Sequence, residues 1–270
     1  MAGQPQPWSL EKLRIVLGGI AVVAVLLIAG LVFWVVRAVS GTDTIGQATP
    51  STPAQVHGQQ ARDRMAAEPM LQVDPVDARE GAVSPSPAKT MTIPTATKVG
   101  PAEVPTGFPQ TPEGAVGQLA AISGVVTEGM SIPQAHTVHQ AWAMPGAPSA
   151  AQWQLSENVR LFLESAGVSG QEAGTNATMT ATPVAAQIKG HDGNDWVLAC
   201  VLFDVKAVVE QEARTGWGHC ERMEWDSSSR RWKIAPGQQP ATAPSTWPGT
   251  TKALEAGWRT WINPDGAENR

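Results

Sequence analysis

Apolar side chains run from residue 15 to residue 36 (IVLGGIAVVAVLLIAGLVFWVV) without one charge, and they lie all round the helix that the run predicts. A helix rising about 1.5 Å per residue needs roughly 20 such residues to cross a bilayer core. Cleaved signal peptides carry an apolar stretch of roughly 7–15 residues. This one is longer, so it reads as an uncleaved anchor even though Ala38-Val39-Ser40 offers a small-x-small site. Trp34 sits near one end, where an indole favours the interface. Lys12 and Arg14 precede the span and only Arg37 follows closely, which predicts a cytoplasmic N-terminus and a C-terminal region outside the plasma membrane.

The pattern then fades. Residues 37–109 are rich in Pro, Ser, Thr and Ala, and their apolar density is too low to offset the entropy of ordering. Residues 59–70 have a helical composition, but nothing apolar flanks them. The whole segment reads as a disordered linker, spanning roughly 45 Å as a coil. The expected division is a tail over 1–14, a transmembrane helix over 15–36, the linker over 37–109 and a folded domain over 110–265.

Helical periodicity starts at Thr111, an N-cap followed by Pro112 and Glu113 in the first turn. Val116, Leu119, Ile122 and Val126 then fall on one face. Ser131 with Gln134, and Ser149 with Gln152, have capping-box spacing. The second pair would open a helix carrying Leu155, Val159 and Phe162, ended by Gly167.

After three helices the period changes to two. Residues 177–189 alternate loosely around Pro183, as in an edge or bulged strand. Val197, Ala199, Val201, Phe203, Val205 and Ala207 make one apolar face of the next strand, and Trp217 and Met223 belong to a third. A short strand begins at Arg231. Residues 251–262 look helical, with Leu254, Trp258 and Trp261 on one side. A hairpin centred on Glu210 sets Phe203 against Trp217, Val197 against Met223 and Cys200 against Cys220, so both apolar faces agree. Facing cysteines in an extracytoplasmic domain read as a disulfide, with two free thiols as the alternative. Helices, an antiparallel sheet and a closing helix make an α+β fold.

Composition removes several functions. Residues 110–270 hold 11 Lys plus Arg and 16 Asp plus Glu, which argues against direct binding of nucleic acid. The phosphate-cradling glycine motif, the nucleophile elbow and HExxH are missing from the sequence, so no catalytic, cofactor-binding or metal-binding residue is assigned. His136 and His139 lack a third ligand at recognisable spacing. His219 and Cys220 alternate to opposite faces of their strand, and Asp192, Asp195 and Asp204 read as solvated strand edges. Tryptophan is abundant, 11 residues against no tyrosine. Trp217, Trp225 and Trp232 suit a core, whereas Trp247, in the Pro-rich loop APSTWPGT, suits a partner contact. The alternative for Trp247 is a plug at the open end of the fold.

The stretches TPEGAVGQLAAI, DWVLACVLFDVKAVV, GWGHCERMEW and RRWKIAPG, with APSTWPG, resemble a group of single-span membrane proteins of actinobacteria. That architecture is similar to VirB8-type and TcpC-type components of conjugative and type IV secretion machines. The resemblance implies an NTF2-like domain, a bent sheet wrapped around helices. It also implies a non-enzymatic scaffold that contacts the lipid bilayer through residues 15–36, other envelope proteins and further copies of itself. A ligand-binding or sensor domain for a cell-wall or lipid fragment is the competing expectation. An apolar cavity would favour the sensor, a filled core the scaffold.

Overall fold

The computed structural model describes residues 58–174, 177–208 and 211–269. The tail, the apolar segment 15–36, the linker up to residue 57 and the hairpin tip at Glu210 lie outside them. Among the described residues no helix is long and apolar enough to cross a membrane.

The chain runs α1 (Gln59–Ala67), a 3-10 turn (Pro75–Ala78), β1 (Thr90–Thr92), β2 (Lys98–Val99), β3 (Pro105–Thr106), α2 (Pro112–Gly129), α3 (Ile132–Trp142) and α4 (Gln154–Ser165). There follow β4 (Thr178–Asp192), β5 (Trp196–Val208), β6 (Glu212–Asp226), β7 (Arg231–Ile234), α5 (Thr251–Glu255) and β8 (Arg259–Ile262). The large sheet has the order β1-β8-β4-β5-β6-β7. It is mixed, since β1 pairs with β8 in parallel and the other pairings are antiparallel. The α+β class is the expected one, but the sheet is mixed where an antiparallel one is expected, because β1 lies outside the region read as folded.

Local chemistry explains the helix starts. The Thr111 hydroxyl accepts from the Gly114 N–H at 3.1 Å, with Pro112 at a first-turn position where no N–H is needed. Ser131 does the same for Gln134 at 3.2 Å. Met130, in the left-handed region at φ 42°, turns the chain from α2 into α3. The expected box at Ser149 is not a helix start. The Ser149 hydroxyl bonds the Gln152 side chain, while α4 begins at Gln154 behind a fully buried Trp153.

The β5–β6 register is the expected one: Phe203 faces Trp217, Val197 faces Met223, and Cys200 faces Cys220 in a disulfide. Replacing both cysteines by alanine is expected to lower the unfolding free energy by roughly 3 kcal/mol, the chain-entropy value for a loop of this length. Urea unfolding with and without reductant measures it, and coincident curves would contradict it.

Pro183 does mark a bulge, one of two register shifts in β4, but β4 is not an edge strand. It lies between β5 and β8, and Pro183 is tolerated because β8 pairs only with Ala185 and Ala186. One sheet face packs against α2, α3 and α4 around Leu119, Ile122, Trp153 and Phe203. The other is also covered. Cys200, Leu202 and Cys220 lie under Ala253, Ala256 and Trp258, while Trp196 and Leu198 lie under Ala66 of α1.

Two boundaries differ from expectation. Order begins well before residue 110: Met91, Ile93 and Val104 are core residues, and β1 extends the sheet. α1 docks mainly through charge, with the Arg62 Nε 2.8 Å from Asp192 and Asp63 2.6 Å from the buried Arg222. Ion pairs of this kind leave no apolar periodicity to read. The second boundary is residues 251–262, which are helical for only one turn. Gly257, at φ 85°, ends α5, and Arg259–Ile262 enters the sheet as β8.

Candidate functional site

One helix and three strands of the sheet do not close against one another. Leu155, Val159 and Phe162 of α4 face Met179 of β4, Val205 of β5 and Trp217 of β6 across a cavity of about 430 Å³. Met130 lies at one end, and Pro75 and Ala78 of the 3-10 turn complete the rim with Ser245. The lining is overwhelmingly hydrocarbon, with Asn158, Thr127 and Thr215 as its polar side chains besides Ser245. A void of this size lined by apolar side chains forfeits packing contacts that a filled core would make. Its volume falls in the range of roughly 300–1,000 Å³ typical of small-molecule sites.

Behind Trp217 runs a chain of buried polar and aromatic groups. The Trp217 ring stacks on Phe203 at 5.4 Å and on His219 at 5.4 Å. His219 Nε2 is 3.8 Å from Glu221 Oε2, and that oxygen accepts from the Trp153 indole N–H at 2.9 Å. His139 meets the other side of Trp153 at 5.2 Å between ring centroids. Strand alternation puts Trp217, His219 and Glu221 on one face of β6, so the arrangement follows from their spacing of two.

Burial dominates the electrostatics. It pushes the Glu221 carboxyl up to about 7, against the Trp153 and Arg222 N–H groups that favour the charged form. The same burial drives His219 down to about 3 and lowers His139. Neither ring nitrogen of His219 has a hydrogen-bond partner among the described residues. Buried groups left in that condition are uncommon and concentrate at functional sites. His219 and Glu221 are closed off, with side-chain exposures of 0% and 4%, and neither lines the cavity.

The residues singled out in the sequence are scattered. Cys220 points away from His219, into the disulfide on the opposite face. Asp192 pairs with Arg62, Asp195 accepts from the Gln110 amide, and Asp204 pairs with Arg214. His136 and His139 share α3 without a third ligand, and among the described residues no group of three or more His, Cys, Asp or Glu is placed to hold a metal.

Trp247 is 9% exposed, its main-chain N–H donates to the Asp77 carbonyl, and the Arg214 guanidinium lies 5.2 Å above its ring. Little of the ring is left exposed, which favours the alternative reading of Trp247 as part of the fold. It locks the 3-10 turn that forms the cavity rim.

The cavity residues were visible in sequence only as core positions, because an apolar stripe carries the same signature whether the space opposite is filled or empty. Glu221 and His219 did leave a signal, two ionisable residues on the apolar face of β6. Comparison of the chain with family models, with curated proteins and with solved structures yields no match.

Proposed function

We propose that residues 58–269 form a binding domain for a small apolar or amphiphilic ligand, of the kind a lipid or cell-wall fragment supplies. The cavity between α4 and the sheet carries this reading, because it is apolar, of ligand size and lined by residues of the core. Asn158, Thr127 and Ser245 offer a polar end to orient the ligand. The reading is of binding and not of turnover, since the buried His219–Glu221 pair is walled off by Trp217. The disulfide supports an oxidising compartment, and with residues 15–36 it supports a domain held outside the plasma membrane by a single span. Three helices packed on one sheet face are in keeping with an NTF2-like arrangement.

Filling the cavity tests the assignment. Val159→Trp is expected to weaken binding of a fluorescent fatty-acid analogue at least tenfold while leaving the fold stable, because the indole occupies space that is already empty. Fluorescence titration on residues 55–270, a compact unit of its own, reads it out. Unchanged affinity in a folded variant would sink the assignment.

A second reading is an assembly component of an envelope machine. Leu71, Val76 and Val83 are 40%, 64% and 78% exposed along one segment, a row of apolar side chains that suits a protein partner. Loss of complex formation in the triple Ser variant, with ligand binding intact, would support it.

A further inference from the structure

The far end of β6 carries a second site of different character. Trp225 lies eight residues from Trp217, about 26 Å along the strand at roughly 3.3 Å per residue. A cleft of about 770 Å³ opens there between the β6–β7 turn and the segment around β2 and β3. Half-buried Trp225 is its floor, braced edge-on by Trp232 at 5.6 Å, whose own N–H is taken by the Pro109 carbonyl at 2.8 Å. Lys98 stands on one wall and Arg230 on the other.

Three observations bear on the cleft. The chain carries a net charge of −5, yet neither of these two cations has a carboxylate partner within 4.0 Å among the described residues. Asp226, four residues from Arg230, is held by Lys233 at 2.7 Å and by Ser228 and Ser229, and Asp195 accepts from Gln110 on the cleft wall. The Asp226 carboxyl accordingly lies well below the usual range, with the Lys233 bond as the largest cause. Secondly, Arg230 sits at φ 51°, a left-handed conformation that glycine or asparagine would adopt with less strain. Strain of this kind occurs at functional positions and also in plain turns, as at Met130. Thirdly, the walls mix donors with acceptors. The Thr97 hydroxyl spends its hydrogen on the Gly107 carbonyl and the Ser229 hydroxyl on Asp226, so both oxygens remain acceptors beside the cationic donors.

An inorganic anion asks only for donors. A ring of hydroxyls with one acidic substituent asks for donors, acceptors and an aromatic surface. We propose that the cleft between Lys98, Trp225 and Arg230 binds an acidic saccharide, with the sugar ring on the indole and its anionic group between the two cations. This site is separate from the apolar cavity and stands or falls independently of it.

Calorimetric titration of the full chain in detergent tests it with four probes: a tetrasaccharide alternating glucuronate and N-acetylglucosamine, maltotetraose, inorganic phosphate and adenosine monophosphate. The acidic tetrasaccharide is expected to bind saturably and at least tenfold more tightly than the other three. Lys98→Ala and Arg230→Gly are each expected to weaken it about tenfold, the loss of one charge-assisted hydrogen bond. Arg230→Gly removes the charge while relieving the backbone, so its fold is retained. The inference is overturned by an absence of saturable binding or by equal binding of maltotetraose. It is equally overturned if phosphate or the nucleotide matches the tetrasaccharide, or if folded Arg230→Gly retains full affinity.

Discussion

Trp247→Ala is expected to destabilise the domain by about 3–5 kcal/mol, the usual cost of truncating a buried aromatic side chain. The ring fills the angle between the 3-10 turn, β6 and the loop that precedes α5. The Trp247 main-chain N–H donates to the Asp77 carbonyl at 2.6 Å, and Arg214, itself paired with Asp204, covers the face of the ring. Contact with β6 is close enough to demand glycine. A Cβ on Gly216 would fall 1.9 Å from the Thr246 carbonyl oxygen and 3.2 Å from the Trp247 Cα. Truncation removes the buried aromatic surface and its Arg214 contact, while the main-chain bond to Asp77 at the cavity rim remains. Urea denaturation followed by Trp fluorescence checks the effect. An unchanged midpoint would mean that the ring is dispensable to the fold.

Glu221→Gln is expected to abolish a pH dependence worth about 3 kcal/mol, from a carboxyl pushed up to about 7 in the fold against an ordinary value of 4.5. A raised carboxyl contributes stability that is fully present below pH 4.5 and is lost as pH rises through 7. The wild type therefore weakens on going from pH 4.5 to 8, and the glutamine variant loses nothing from this source. His219 has the opposite sign. Burial lowers it from 6.5 to about 3, so its contribution is present above pH 6.5 and is lost as pH falls towards 3. Between pH 4.5 and 6.5 the two oppose each other in the wild type, and the variant shows the acid loss uncompensated. Denaturant midpoints from pH 4 to 8 give the comparison. Parallel profiles for the two proteins would contradict the burial of a titrating Glu221.

The antiparallel hairpin was the most legible part of the chain. Alternation along β5 and β6 sets the register, and the two cysteines sit opposite each other within it. The starts of α2 and α3 were legible too, because a hydroxyl N-cap followed by proline is a local signal. What the pattern concealed depends on distant partners. β1 and β2 are two or three residues long, too short for any period, and β1 is fixed by β8 about 170 positions later. α1 is held by Asp192, Arg222 and Glu224, which look like ordinary surface charges until the fold brings them together. Residues 258–262 suit a helix by the spacing of Trp258 and Trp261, and the left-handed Gly257 decides for a strand. Neither candidate site could be read in advance. The apolar cavity shares its residue types with the core, and the Trp225 cleft exists only because residues 97–110 fold back onto the domain.

The cavity between α4 and the sheet is the proposed ligand site. Isothermal titration of palmitate into residues 55–270 tests this most directly. One saturable site per chain is predicted, with binding lost in the folded Val159→Trp variant and retained in Lys98→Ala. No saturable heat, or equal binding by the cavity-filled variant, would contradict it.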